Sequence, residues 1–196
     1  MGNSMPAVRD IRIVLIGVKK KCHWKRHSGK KMFTSMEDTK SVTESCVKER
    51  VHDNRWIYVV DTPGLLDTGK TPEHIESKIV RCLQDSAPGP HVFVLVVEAT
   101  ICREEDQNTV DDLERLFGPE VFKFMIVLFT HGGKLGSQTL STFISDGHEC
   151  VRAIIKRCSG RFHFFDNTSG SRGQVVELVK KIDEMVAVAG GGYFTQ

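Results

Sequence analysis

No apolar run in this 196-residue chain approaches the ~18–20 residues that a membrane span needs. The longest, Val92–Val97 and Phe124–Phe129, have the length of strands. The first residues lack the form of a secretory leader, and Pro6 stands where a myristoylation signal wants Ser or Thr, so neither is expected. The six cysteines (Cys22, Cys46, Cys82, Cys102, Cys150 and Cys158) include no C-x-x-C pair. A disulfide framework would be unusual at this size, so a reduced chain in the cytoplasm is expected. No internal repeat is visible, no hydrophobic segment closes the chain, and Gly190-Gly191-Gly192 reads as a flexible end.

What is present is the composition of one soluble globular domain, with 40% hydrophobic and 27% charged residues. The formal charge of +2 is unevenly placed. Lys19, Lys20, Lys21, Lys25, Arg26, Lys30 and Lys31 form a basic interval without an acid. Removing those seven from the 27 basic residues leaves 20 against 25 acidic ones, a formal −5. A basic interval with an aromatic, Trp24, is one form of nucleic-acid or acidic-lipid patch. Lysine runs are more often solvated faces, and no nucleic-acid partner is expected. Cys22, His23 and His27 lack the spaced second pair of a zinc site.

Periodicity alternates between strand and helix. Ile11–Ile16, Trp56–Val60, Val92–Val97, Phe124–Phe129 and Phe162–Phe165 are short apolar runs suited to strands buried on both faces. Thr71-Pro72-Glu73 opens a helix with a cap and a proline at its first position, and Ile75, Ile79 and Leu83 follow on one face. Val110, Leu113 and Phe117 make a second stripe, stopped by Gly118-Pro119. Cys150, Ile154 and Cys158 make a third, and Val175, Leu178, Ile182 and Met185 a fourth. Asp53-Asn54 reads as a hairpin turn that adds one antiparallel edge strand. This order predicts a doubly wound α/β domain.

In such a domain ligands sit at the carboxyl ends of the strands. Asp61-Thr62-Pro63-Gly64 follows one strand. An Asp there can hold Mg²⁺ through water, and a glycine lets a backbone N–H approach a terminal phosphate. Asp61 through Thr68 resembles the switch segment of the immunity-associated (IMAP, AIG-type) GTPases. Ser86-Ala87-Pro88-Gly89-Pro90-His91 with Val92–Val97 resembles that family's own box, as does Val110–Gly118 followed by Met125–Thr130.

The resemblance implies a Ras-like P-loop NTPase G domain over residues 9–187 with a flexible tail at 188–196. Its sheet is mostly parallel with one antiparallel edge strand, and helices cover both faces. It also implies binding of GTP or GDP with Mg²⁺, homo- or heterodimerisation through the G domain, and slow hydrolysis or none. By position, Gly17 opens the phosphate loop, Thr43 and Asp61 serve Mg²⁺, and Gly64 approaches the terminal phosphate. Thr130, His131 and Gly132 fall where the family reads guanine, and Asn167 matches its last base-contacting residue. No catalytic residue is assigned, since Leu65 follows Gly64 where a water-positioning glutamine would be needed.

The departures from the pattern are sharp. A phosphate loop needs G-x-x-x-x-G-K-[ST], whose N–H groups, lysine and hydroxyl hold phosphates and Mg²⁺. After Ile13-Val14-Leu15-Ile16-Gly17 those last three places hold Cys22, His23 and Trp24. Gly133 stands where the family commonly has the guanine-pairing Asp, and Arg103 where it often has a helix-starting Thr. The alternative reading is a pseudo-GTPase interaction module. Codon degeneracy also allows Lys20–Gly29, read one nucleotide later, to spell Lys-Ser-Ala-Thr-Gly-Asn-Ala-Ile-Leu-Gly. That peptide is the end of the family's phosphate loop and the start of its first helix. The expected outcome of sequencing the coding DNA is a shifted frame that spells this peptide; any other peptide there makes the divergence genuine.

Overall fold

The computed structural model describes residues 10–17, 47–52, 56–62, 72–99, 102, 104–131, 142–144, 149–166 and 172–195. Strand β1 (Asp10–Gly17) is followed by β2 (Val47–His52) and β3 (Trp56–Asp61), then α1 (Pro72–Asp85) and β4 (Val92–Glu98). Next come α2 (Glu104–Phe117), a 3₁₀ turn (Pro119–Phe124) and β5 (Met125–Thr130), and last α3 (Glu149–Arg157), β6 (Phe162–Phe164) and α4 (Arg172–Val188). The sheet order is β2-β3-β1-β4-β5-β6. Five strands run parallel, and β2 pairs antiparallel with β3 at one edge, with Val51 opposite Ile57 and Val47 opposite Asp61. The expected α/β architecture, with its single antiparallel edge strand, is therefore the observed one.

Alternation along β1 explains how both sheet faces are covered. Ile11, Ile13 and Leu15 join Ile57, Val59, Val94 and Leu128 in one core, closed by Leu178, Ile182 and Met185 of α4. Val14 and Ile16 point the other way, into a core with Phe93, Leu95, Val127 and Phe129 that α1, α2 and α3 cover through Ile79, Leu113 and Ile154. The helical stripes legible in the sequence are these buried faces. Gly118, at φ 74° and ψ 170°, takes a positive-φ extended conformation just past α2, where an L side chain would be strained.

Helices α2 and α3 lie side by side with their starts together. Arg157 near the end of α3 bonds Asp111 and Glu114 of α2 and stands 4.8 Å from the Phe122 ring centre. At the other end, Cys102 and Cys150 are joined by a disulfide with their Cα atoms 6.1 Å apart, across 48 residues of sequence. Cys82 is disulfide-bonded as well. The expectation of six reduced cysteines is thus corrected, because packing two helix starts together places residues distant in sequence within bridging range. Cys158 is free and buried, and burial pushes its thiol up to about 12.

The end of the chain also departs from expectation. Helix α4 stops at a glycine cap, in which the Gly191 N–H donates to Val186 O at 2.8 Å and Gly190, at φ 73°, turns left-handed. Tyr193 then lies at the surface with the Arg12 guanidinium 5.1 Å from its ring centre, and Phe194 turns inward. Phe194 is buried, its N–H donates to Pro90 O at 2.8 Å, and its ring meets Phe93, Phe117 and Phe124 edge-on. A β-carbon on Gly89 would stand 2.1 Å from Phe194 O, so only glycine admits this close approach. The segment read as a flexible end is therefore packed structure through residue 194.

Beside it, buried His91 accepts from the Arg12 backbone N–H at Nδ1, 3.0 Å away, while its Nε2 lies 3.3 Å from an Arg12 guanidinium nitrogen. A ring facing donors on both sides resists a second proton. Burial first, and Arg12 second, lower its pKa to about 4. A histidine with a depressed folded pKa contributes stability fully above its unfolded value near 6.5 and loses it as pH falls toward 4. Urea denaturation at pH 7.5 and pH 5.0 is expected to show a loss of about 2 kcal/mol attributable to His91. His91→Gln is expected to remove that part of the slope and leave the contribution of His163, whose pKa is lowered by burial in the same direction.

Candidate functional site

The carboxyl ends of the parallel strands form one edge of the sheet. Across it, in strand order, stand Asp61 on β3, Gly17 on β1, Glu98 on β4 and Thr130 on β5, with Asp166 two residues beyond β6. The register is fixed by backbone pairing: Leu15 sits opposite Asp61, Gly17 opposite Val96, and Glu98 opposite Thr130. Five polar or glycine positions separated by more than 100 residues of sequence thereby reach one line.

At the β3 end, Thr62 is buried, and both its backbone N–H and its hydroxyl donate to Leu15 O, at 3.2 and 2.7 Å. This pair ties the first residue after Asp61 to β1 just before Gly17. Sequence reasoning passed over Thr62 because a threonine inside an Asp-Thr-Pro-Gly turn looks ordinary. Its signal was the position immediately after a buried strand. The hydroxyl does not reach toward a ligand; it holds the strand end from which Asp61 projects.

At the β4–β5 end, the Ala99 N–H donates to Thr130 O at 3.1 Å. Thr130 is buried, with its hydroxyl 3.2 Å from His131 Nδ1. The same nitrogen lies 3.6 Å from a Glu98 carboxylate oxygen. His131 takes a left-handed backbone conformation at φ 61°, uncommon for a residue with a β-carbon. Thr130 and His131 meet through these side-chain atoms, and Glu98, which sequence spacing could not pair with residue 130, stands beside them.

At the β6 end, the Phe165 N–H donates to Phe129 O at 2.8 Å. Gln174 of α4 holds Asp166 from both sides: its Oε1 accepts from the Asp166 N–H at 2.5 Å, and its Nε2 donates to Asp166 O at 3.3 Å. Buried His163 meets Gln174 O at 3.0 Å through Nε2. Gln174 therefore fixes Asp166 just past β6, and nothing in its surface-helix context announced it. Thr43, Gly64, Gly132 and Asn167, with Arg103 and Gly133, lie outside the described residues.

The donor chemistry divides in two. Asp61 offers the hard carboxylate oxygen that a hydrated Mg²⁺ prefers, so this end fits the metal. Among the described residues the edge carries Asp61, Glu98 and Asp166 and no lysine or arginine, so it supplies nothing to neutralise phosphates. The basic interval lies outside the described residues; in the sequence its positions 22–24 are Cys22, His23 and Trp24.

The strand order, the crossovers and the ligand edge define a Ras-like P-loop G domain. The fold matches Toc33 from Arabidopsis thaliana in complex with Mg²⁺ and GMPPNP, at a TM-score of 0.68 and 16% identity over 92% of this chain and 86% of that one. It also matches Era from Aquifex aeolicus, at 0.61 and 20% over 90% and 57%. A family model described as the AIG1 family matches residues 28–196, and the chain belongs to that family, the IMAP or AIG-type GTPases. It is 34% identical over 163 residues to immune-associated nucleotide-binding protein 9 of Arabidopsis thaliana, covering 81% of this chain and 48% of that protein. It is 29% identical over 204 residues to human GTPase IMAP family member 8, covering 98% and 30%. The chain thus spans about half or less of the length of these curated relatives. No helix among the described residues is long and apolar enough to cross a membrane.

Thr62→Val keeps the side-chain shape and removes the hydroxyl bond while Leu15 O retains the backbone N–H. The expected cost is about 1 kcal/mol of unfolding free energy in a urea titration, with the far-ultraviolet spectrum unchanged.

Proposed function

We propose that this chain is a guanine-nucleotide-binding G domain of the IMAP type. It binds GTP or GDP with Mg²⁺ along the strand-end edge and acts as a switch or scaffold through dimerisation of that domain, in the cytoplasm. The observation that carries this reading is the line of Asp61, Gly17, Glu98 and Thr130–His131 on consecutive strand ends. Strands spaced ~4.8 Å apart put Asp61 and Thr130 about 14 Å apart, the span of an extended nucleotide from outer phosphate to base. Asp61 and Thr43 take the metal side, Gly17 and Gly64 the phosphates, and Thr130, His131, Gly132 and Asn167 the base. Residues 9–187 form the G domain in this proposal.

Dimerisation has support from outside the chain. A solved structure that shares the fold, at a TM-score of 0.64 and 16% identity, concerns atToc33 and psToc159, chloroplast translocon components for whose GTPase activity dimerisation is important. Two copies of this domain, or one copy and a relative, would meet through the same nucleotide edge. Hydrolysis in this reading is slow at most, since Leu65 follows Gly64 where a water-positioning glutamine would stand.

A second reading has its own observation. Cys22, His23 and Trp24 replace the phosphate-binding Gly-Lys-Ser, and the family match begins only at Ser28, just past them. A chain with that loop binds nucleotide weakly or serves as a pseudo-GTPase interaction module.

Thermal unfolding of the full chain with Mg²⁺ and GTP, GDP or ATP separates the two. A ligand at 100 times its Kd stabilises the native state by about 2.7 kcal/mol. The expected result is an upward shift with GTP and GDP, none with ATP, and loss of the Mg²⁺-dependent part in Asp61→Asn. An unshifted transition at millimolar GTP would remove nucleotide binding and leave the interaction module.

A further inference from the structure

The bond between Cys102 and Cys150 has a third member. Asp106, in the first turn of α2, is 6% exposed, and its carboxylate oxygen and both sulfurs all lie within 4.8 Å of one another. Cys102 is half-buried, whereas Cys150, the second residue of α3, is buried. The contrast with Cys158 is informative: that thiol is buried on the same helix side without a partner sulfur, and its raised pKa makes it inert.

We infer that Cys102, Cys150 and Asp106 form a thiol–disulfide exchange site, through which a thiol reductant of the glutathione class opens and recloses the staple between α2 and α3. The difference in exposure sets the direction of attack. An incoming thiolate bonds to Cys102 Sγ, the more accessible sulfur, and the S–S electron pair departs on Cys150 Sγ. The buried Cys150 thiolate takes up a proton from solvent, relayed through the Asp106 carboxylate. A second thiolate then attacks the external sulfur of the mixed disulfide and releases Cys102, which is protonated from solvent. Two electrons and two protons have entered the pair, and the reductant leaves as its own disulfide. Oxidised glutathione runs the sequence backward, with the Asp106 carboxylate accepting the Cys150 proton.

The site has a structural reach. Cys102 stands four residues beyond Glu98, so the staple anchors the connection that leaves the β4 strand end to the start of α3. Opening it unties Cys102 from the start of α3 while the Arg157 bonds to Asp111 and Glu114 keep the helices paired at their other end. This inference does not depend on nucleotide binding. The same three ligand atoms in reduced form also suit zinc, and the test distinguishes that occupant.

The full chain is equilibrated in glutathione buffers of increasing oxidised fraction, alkylated, and mapped by peptide mass. Cys102 and Cys150 are expected to become protected together in one two-electron transition that reverses on reduction. Asp106→Asn is expected to keep the bond but slow its reduction roughly tenfold or more, and to flatten the pH dependence of the rate, as loss of a positioned proton donor does. Protection of either cysteine without the other, failure of oxidised glutathione to close the pair, or an unchanged rate and pH profile in Asp106→Asn would overturn the site. So would one equivalent of zinc retained by the reduced chain and released by a chelator. If Asp106→Asn does not fold, the equilibrium and the pH profile of the native chain decide.

Discussion

Strand β1 has water on neither face, and the rest of the structure follows from that constraint. A strand buried on both sides must satisfy its backbone in the sheet, which it does by parallel pairing with β3 and β4. It must also find two cores. Ile11, Ile13 and Leu15 reach one and Val14 and Ile16 the other, so helices are needed on both faces. Parallel neighbours in turn require crossover connections, and these carry the helices. The pairing therefore sets the topology, the layers and the common direction of five strands at once.

That common direction is what assembles a site. Each parallel strand delivers its last residue to the same edge, and the Cα register decides which residues stand beside each other. The details are then fixed by polar bonds just past the strand ends. Thr62 ties β3 to β1, the Ala99 N–H bonds Thr130 O, and Gln174 grips Asp166 through both its amide atoms. Each of these bonds ties the end of one strand to a neighbouring element. They fix the chain at Asp61, His131 and Asp166, which is what a site built on strand ends requires.

Much of this was legible in the chain. Buried strands announced themselves as continuous apolar runs, and α4 as a stripe of Val175, Leu178, Ile182 and Met185, because burial selects residue type position by position. The turn signal at Asp53-Asn54, which lies outside the described residues, pointed to the antiparallel edge strand seen as β2. Three features were not legible. Glu98 beside His131 depends on pairing between strands whose register no local pattern encodes. Cys102 and Cys150 are partners only because two helix starts pack together, and cysteine spacing carries no trace of that. Gly190-Gly191-Gly192 has the composition of a linker, yet those glycines cap α4 and turn the chain so that Phe194 enters an aromatic cluster.

The amino-acid sequence by itself determined the class of fold, the family, and the identity of the residues offered at each strand end, since hydrophobic period and turn chemistry are local properties. It also shows Cys22, His23 and Trp24 at the places where the family resemblance expects Gly-Lys-Ser. Tertiary structure decided which of those residues meet. The Asp61–Leu15 register, the Glu98–His131 approach, the Cys102–Cys150–Asp106 cluster and the docking of Phe194 are all contacts between segments remote in sequence. Their energies exist only once the two cores close around β1, and no local pattern can contain them.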